Sequence, residues 1–135
     1  DRLPPFHWAA GRDCSKVVAL HPTLDLSSAY DSLVARYAGR ASLYLTDSRR
    51  CLQAVACGVG KEHAAADLLA ARGIAMSEAA AFGDDAPDAG LLAAVGWGVA
   101  MGNARPEALG AARYVTRGHD DDGVAHALED LLGLV

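Results

Sequence analysis

Two acidic residues four positions apart, Asp84 and Asp88, follow the apolar run Ala79-Ala80-Ala81-Phe82 through Gly83. If that run is a buried strand, Asp84 stands at its carboxyl end and Asp88 one turn later, at the head of the next helix. Both then reach the crevice where open α/β sheets bind their ligands, and their oxygens suit a hard divalent cation. The same acids also suit a plain turn or helix cap, where carboxylates serve backbone N–H groups alone. No His or Cys cluster accompanies them, so the cation this reading implies is Mg²⁺ rather than zinc. Two carboxylates are too few for an all-protein cage, which leaves the other positions to water, to phosphoryl oxygens and to groups outside this sequence. Asp85, between them, is expected to face solvent or to cap the helix.

Lys61 opens a helix directly after Gly58-Val59-Gly60. An ammonium held at a helix N-terminus makes a point-charge site for phosphate or carboxylate, and the alternative is a solvated lysine on a first turn. Glu62 and His63 read as helix-start residues. Asn103, in the Gly102-Asn103 turn after a strand, either touches a bound group, caps the following helix or holds a left-handed turn. His119-Asp120-Asp121-Asp122 has the composition of a metal cluster, but its place before the last helix fits an acidic N-terminal cap. His7, His21 and His126 have no partner at an informative spacing.

The remaining composition narrows the function classes. The chain has 135 residues, 52% of them hydrophobic, which is enough for one compact domain or a small domain with part of a second. Its net charge is −5, and its 12 basic residues are Lys16, Lys61 and ten scattered Arg, so no basic patch points to nucleic acid. No apolar run approaches the roughly 18 residues of a membrane span, and the first residues lack a signal-peptide pattern, so a cytoplasmic location is expected. Cys14, Cys51 and Cys57 are odd in number without redox or metal spacing, and are expected to be reduced and mostly buried.

These groups need elements to position them. Residues 16–21 read as a strand and Leu26 to Ala38 as a helix with Leu26, Ala29, Tyr30, Leu33, Val34 and Tyr37 inward, stopped by Gly39. Ala41–Thr46 and Cys51–Ala56 are strands about a polar turn at 47–50, which completes a β-α-β-β unit. After the break at Gly58-Val59-Gly60 the pattern alternates helix and strand, as in a doubly wound sheet, so a domain boundary is expected there. Lys61 to Arg72 forms a helix with Ala64, Ala65, Leu68 and Leu69 on one face, closed by Gly73 with Ile74 packing back. Then come the strand before the acidic loop, a helix at 88–94, a strand at 97–101, a Pro-initiated helix at 106–112, a short strand at 114–116 and a last helix from Gly123 to about Leu132. That last helix carries Val124, Leu128, Leu131 and Leu132 on its apolar side.

Taken together, Gly58-Val59-Gly60-Lys61, Gly83-Asp84-Asp85-Ala86-Pro87-Asp88, Val99-Ala100-Met101-Gly102-Asn103-Ala104 and Asp121-Asp122-Gly123-Val124-Ala125 resemble, in order and spacing, the C-terminal half of Cof-type phosphatases of the haloacid dehalogenase superfamily. The resemblance covers roughly residues 58 to 127. It implies an α/β fold: the C-terminal portion of a Rossmann-like core over 58–135, and over 1–57 the closing β-α-β-β part of an α/β cap domain. It also implies Mg²⁺-dependent hydrolysis of a small phosphorylated metabolite through an aspartyl-phosphate. On this basis Lys61 offsets charge on the phosphoryl group, Asp84 and Asp88 hold the metal directly or through water, and Asn103 joins Lys61 in contacting phosphate.

The chain departs from that pattern in two places. Pro87 stands where the family commonly has Asn, removing a side-chain amide and a backbone donor. The family's nucleophile, in an Asp-x-Asp motif after the first strand, and its Ser or Thr on a second strand find no counterpart: Asp1 and Asp13 do not follow apolar strands, and Thr46 lies in the cap-like part. The expectation is therefore a C-terminal piece of a phosphatase, inactive alone, that self-associates or pairs with a missing N-terminal part or partner chain. The alternatives are a non-catalytic binding or regulatory module on the same shell, another doubly wound domain such as a phospho-receiver, and an α/β domain without a site.

Overall fold

A computed structural model describes residues 14–133. Asp1, His7 and Asp13 lie outside the described residues, as does the start of the expected 1–57 unit. The first half is a β-α-β-β unit: β1 (Lys16–Leu20), α1 (Ser27–Tyr37), β2 (Ala41–Thr46) and β3 (Cys51–Ala56). The three strands form an antiparallel sheet in the order β1-β3-β2, with Tyr44 opposite Gln53 and Lys16 opposite Val55. Asp25 accepts the N–H of Ser27 at 2.8 Å, satisfying one of the free donors where α1 begins. The helix lies along β2 with Leu26, Tyr30, Leu33 and Tyr37 partly buried, while Ala29 and Val34, expected inward, face solvent. Between β2 and β3, three successive non-glycine residues, Asp47, Ser48 and Arg49, take left-handed φ values of 48°, 51° and 68°. Arg50 braces this turn, donating to Asp47 and to the carbonyl of Pro22.

Beyond Gly58 the pairing changes from antiparallel to parallel. The second half contains α2 (Lys61–Ala70), β4 (Ala80–Gly83), α3 (Ala89–Ala94), β5 (Trp97–Ala100), α4 (Pro106–Ala111), β6 (Tyr114–Val115) and α5 (Gly123–His126). β4, β5 and β6 pair in that order, with β5 central. Helices α3 and α4 pack on each other, and α2 packs on α3. Gly39 and Gly73 terminate α1 and α2 with φ of 72° and 69°, a conformation only glycine adopts without strain, and Ile74 closes the second cap by donating to Leu69.

The buried core belongs to this parallel half. Ala81, Leu92, Val95, Ala100 and Ala108 form one cluster, and Val99 at the centre of β5 is fully enclosed. Small side chains dominate because the backbones approach closely. A Cβ on Gly98 would stand 1.9 Å from the carbonyl oxygen of Leu92, so only glycine lets α3 lie this near β5. In the antiparallel sheet the buried residues are Leu52 and Thr46, and β1 is exposed along its whole length.

Element order follows the sequence expectation throughout, but several faces do not. Ala64 and Leu68 of α2 point outward, and the half-buried side of that helix is Glu62, Ala65, Ala66 and Leu69. The last helix is regular only to His126, then widens into a π-type turn over Ala127–Leu131. The residues it buries are Gly123 and Ala127, whereas Val124 is exposed. The cysteines are free as expected, but Cys14 and Cys57 are exposed and Cys51 only half-buried, because two of them flank the ends of the antiparallel sheet rather than its interior.

Packing at Gly98 makes a paired prediction. Gly98→Ala should lower stability by about 3 kcal/mol, since a backbone carbonyl cannot move aside as a side chain can. Gly110→Ala, in α4 with nothing within 4 Å of the added carbon, should raise it by about 0.5–1 kcal/mol. Urea unfolding of both variants tests this; equal effects at the two sites would contradict the close approach.

Candidate active site

The acidic loop is organised by its last residue. After β4 ends at Gly83, residues Ala86–Asp88 form one 3-10 turn that runs directly into α3. Asp85 caps this turn, its Oδ1 accepting the N–H of Ala86 at 2.8 Å. Asp88 folds back over the loop, and its Oδ2 accepts the N–H groups of Asp84 and Asp85 at 3.1 and 3.2 Å. Its Oδ1 takes the Lys61 ammonium, which the first turn of α2 brings from 27 residues away. Gly83 is required beneath this arrangement, since a Cβ there would lie 2.5 Å from the Cβ of Asp88. Pro87 sits in the first turn of the 3-10 segment, where a missing N–H leaves no helical bond unmade.

Burial separates the roles of these charges. The Asp88 side chain is 9% exposed and that of Lys61 58%, so the carboxylate is enclosed while the ammonium remains open to a ligand. Burial pushes the Asp88 carboxyl upward, but the Lys61 hydrogen bond and the N–H groups of Asp85 and Asp84 outweigh it and hold the group below the ordinary carboxylate range. Asp84 is exposed, and its carboxylate makes no hydrogen bond among the described residues. Its main chain is fixed, with the carbonyl accepting the N–H of Arg105 at 2.8 Å.

The donor set tests the fit to a metal. Asp84 offers a free hard-oxygen ligand at the carboxyl end of a parallel strand, which suits Mg²⁺. Asp88 Oδ2 already accepts two loop N–H groups and Oδ1 the Lys61 ammonium, which leaves Oδ1 one acceptor site for a metal or its water. Among the described residues no three His, Cys, Asp or Glu side chains converge, so a cation held at Asp84 would need further ligands from elsewhere.

The structure brings Lys61, Asp84 and Asp88 to one edge of the parallel sheet. Asn103 Oδ1 accepts the N–H of His119 at 2.9 Å and so ties the loop after β5 to the loop after β6. It neither caps α4, which Arg105 precedes, nor takes a left-handed conformation. The acidic run 120–122 does not cap α5 through a side chain; Asp122 instead turns the backbone with φ of 51°, and His119–Asp121 form a 3-10 turn. His21 accepts the N–H groups of Thr23 and Leu24 and so shapes the turn after β1. Two further features lie outside the sequence expectations. Arg105 Nε lies 3.6 Å from Asp85 Oδ1, placing a guanidinium beside the acidic loop. His126 joins the buried Thr116 hydroxyl at 3.1 Å to Asp130 at 3.1 Å, a link that its four-residue spacing from Asp130 would have suggested.

Comparison with known proteins shows the family. A family model of haloacid dehalogenase-like hydrolases matches residues 5–128, and the chain belongs to that family. It superposes on a haloacid dehalogenase-like hydrolase from B. subtilis with a TM-score of 0.78 at 27% identity, over 93% of this chain and 45% of that one. A haloacid dehalogenase-like hydrolase from Bacteroides thetaiotaomicron gives 0.68 at 31% identity, over 87% and 44%. Phosphatase YwpJ of Bacillus subtilis is 48% identical over 59 residues, 44% of this chain and 21% of that protein. The HMP-PP phosphatase of Serratia proteamaculans is 36% identical over 106 residues, 78% and 36%. The chain thus spans under half the length of each of these relatives.

Because the folded-state pKa of Asp88 is depressed, its stabilisation is fully present above the ordinary carboxylate pKa near 4 and is lost as pH falls through the lower folded value. Stability measured by denaturant at pH 7 and pH 3 should therefore fall on acidification, and by less in Asp88→Asn. Asp88→Ala should cost about 2–3 kcal/mol at pH 7, because two loop N–H groups lose their acceptor. An unchanged acid profile in Asp88→Asn would show that the carboxylate is not held as described.

Proposed function

We propose that this chain is the C-terminal part of a Mg²⁺-dependent phosphatase that hydrolyses a small phosphate monoester through an aspartyl-phosphate. Residues 1–57 would close an α/β cap domain and residues 58–135 the catalytic core. The observation that carries this reading is the Lys61–Asp88 pair at the carboxyl edge of the parallel sheet, with the free carboxylate of Asp84 beside it. The names of the two curated relatives, both phosphatases, support the reaction class.

Each residue then has a physical role. Asp88 anchors the Lys61 ammonium and stiffens the loop, so that Lys61 meets the phosphoryl oxygens without having to be ordered during the reaction. Asp84, with Asp88 directly or through water, would hold Mg²⁺, which would supply positive charge to offset that of the phosphoryl oxygens. A carboxylate from elsewhere in the protein attacks phosphorus, the ester oxygen departs with a proton, and water then cleaves the acyl phosphate to return the carboxylate and release inorganic phosphate. Asn103 would join Lys61 in contacting phosphate through its amide N–H groups, while its oxygen holds the adjoining loops together.

Exposure of the β1 apolar residues, with Val17 and Leu20 at 54% and 67%, and of Leu68 on α2 supports a chain that packs against further protein, either its own N-terminal part or a second copy. A cytoplasmic enzyme acting on a small metabolite, with neither nucleic acid nor membrane as partner, fits the scattered charge. No helix among the described residues is long and apolar enough to cross a membrane.

Phosphate release from p-nitrophenyl phosphate is the direct test. The full-length protein carrying this chain should hydrolyse it only with Mg²⁺, Lys61→Ala should lower kcat by about 10²–10³-fold, and the 135-residue chain alone should be inactive. Metal-independent turnover, or turnover by the isolated chain, would refute the corresponding part of the reading. A binding module on the same shell would show no turnover in any form.

A further inference from the structure

The chain's two lysines, far apart in sequence, meet in space: Lys16 on β1 and Lys61 on α2 line the same cavity of about 260 Å³. The cavity lies between the antiparallel sheet and the start of α2. Its sheet side is one register block, with Lys16 opposite Val55 and Tyr44 opposite Gln53, so all four side chains fall on one face. Leu43 and Leu45 alternate to the other side of β2, and Tyr44 also borders the neighbouring cavity that they line with Tyr30 of α1. Val59, Ala64 and Pro87 complete the wall beside Lys61. Gln53 is oriented within it, its Nε2 donating at 3.0 Å to the hydroxyl of the buried Thr46.

The chemistry of this lining is specific. Tyr44, Val55, Val59 and Pro87 offer flat or branched apolar surface, and the volume lies just below the usual range of small-molecule pockets, which suits a body the size of one ring. Lys61 marks the phosphoryl end. Lys16 adds a second cation, contributed by the antiparallel sheet. We infer that Lys16, Tyr44 and Gln53 determine specificity, selecting a phosphate monoester with a compact, ring-sized apolar body and a second anionic group that pairs with Lys16. This inference rests on the phosphatase reading and names its substrate class.

Two probe pairs separate the inference from that reading. In the full-length protein with Mg²⁺, kcat/KM for 4-carboxyphenyl phosphate is compared with that for phenyl phosphate, and calorimetric affinity for 4-carboxyphenylphosphonate with that for phenylphosphonate. The carboxylated member should be preferred roughly tenfold, as one partly exposed charge-assisted contact provides, and Lys16→Ala should reduce the preference to near unity. Lys16→Glu should reverse it, and Lys16→Arg should restore it. A ratio unchanged by Lys16→Ala, in hydrolysis or in binding, overturns the inference. Lys16-dependent binding preference without turnover of either ester overturns the phosphatase reading and leaves the anion specificity of the cavity standing.

Discussion

The enclosed carboxylate of Asp88 is the constraint on which the rest of the site depends. A carboxylate so far removed from water persists as an anion only where donors surround it, and here the donors are two N–H groups of its own loop and the ammonium of Lys61. Those three contacts fix three things together: the curl of the loop after β4, the entry into α3, and the position of the α2 N-terminus. Gly83 and Pro87 fit the same requirement from opposite directions, one by leaving room beneath Asp88 and the other by setting the backbone of the turn. Asp84 is then left exposed at the strand end with its main chain held by Arg105.

The two halves of the molecule are stabilised differently. In the parallel half, Ala, Val and Gly let helices lie close to the sheet, and the enclosed residues gather around β5. The antiparallel half has regular pairing but little enclosed apolar surface, and its order rests more on the ladders, on α1 and on the braced turn at 47–50. The change of pairing at Gly58 separates a rigid platform carrying charge from a thinner sheet that faces it.

Much of this was legible in the sequence because apolar runs, turn residues and cap glycines are local signals. β2 and β3 begin and end where the residue pattern places them, and the helix stops at Gly39 and Gly73 follow from backbone sterics alone. Faces were harder to read. In Ala-rich helices the apolar periodicity is shallow, so the residues of α2 alone do not distinguish Ala64 and Leu68 from Ala66 and Leu69; packing against α3 does. The acidic loop announced its chemistry by residue type, but the partnership of Asp88 with Lys61 depends on two helices packing side by side, which no spacing rule encodes. The clasp between Asn103 and the N–H of His119 is equally non-local, whereas the link from His126 to Asp130 lay at a helical spacing open to inspection.

The thinness of the antiparallel sheet has a consequence for how such a protein can diversify. Lys16, Tyr44, Gln53 and Val55 are partly or fully exposed and belong to no enclosed cluster, so exchanging them disturbs little that holds the chain together. Lys61 and Asp88 have no such latitude, because they are bound to each other and to the loop. Innovation is therefore easy on one wall of the cleft and constrained on the other, an asymmetry that lets new ligands be tried while the charge-handling apparatus stays fixed.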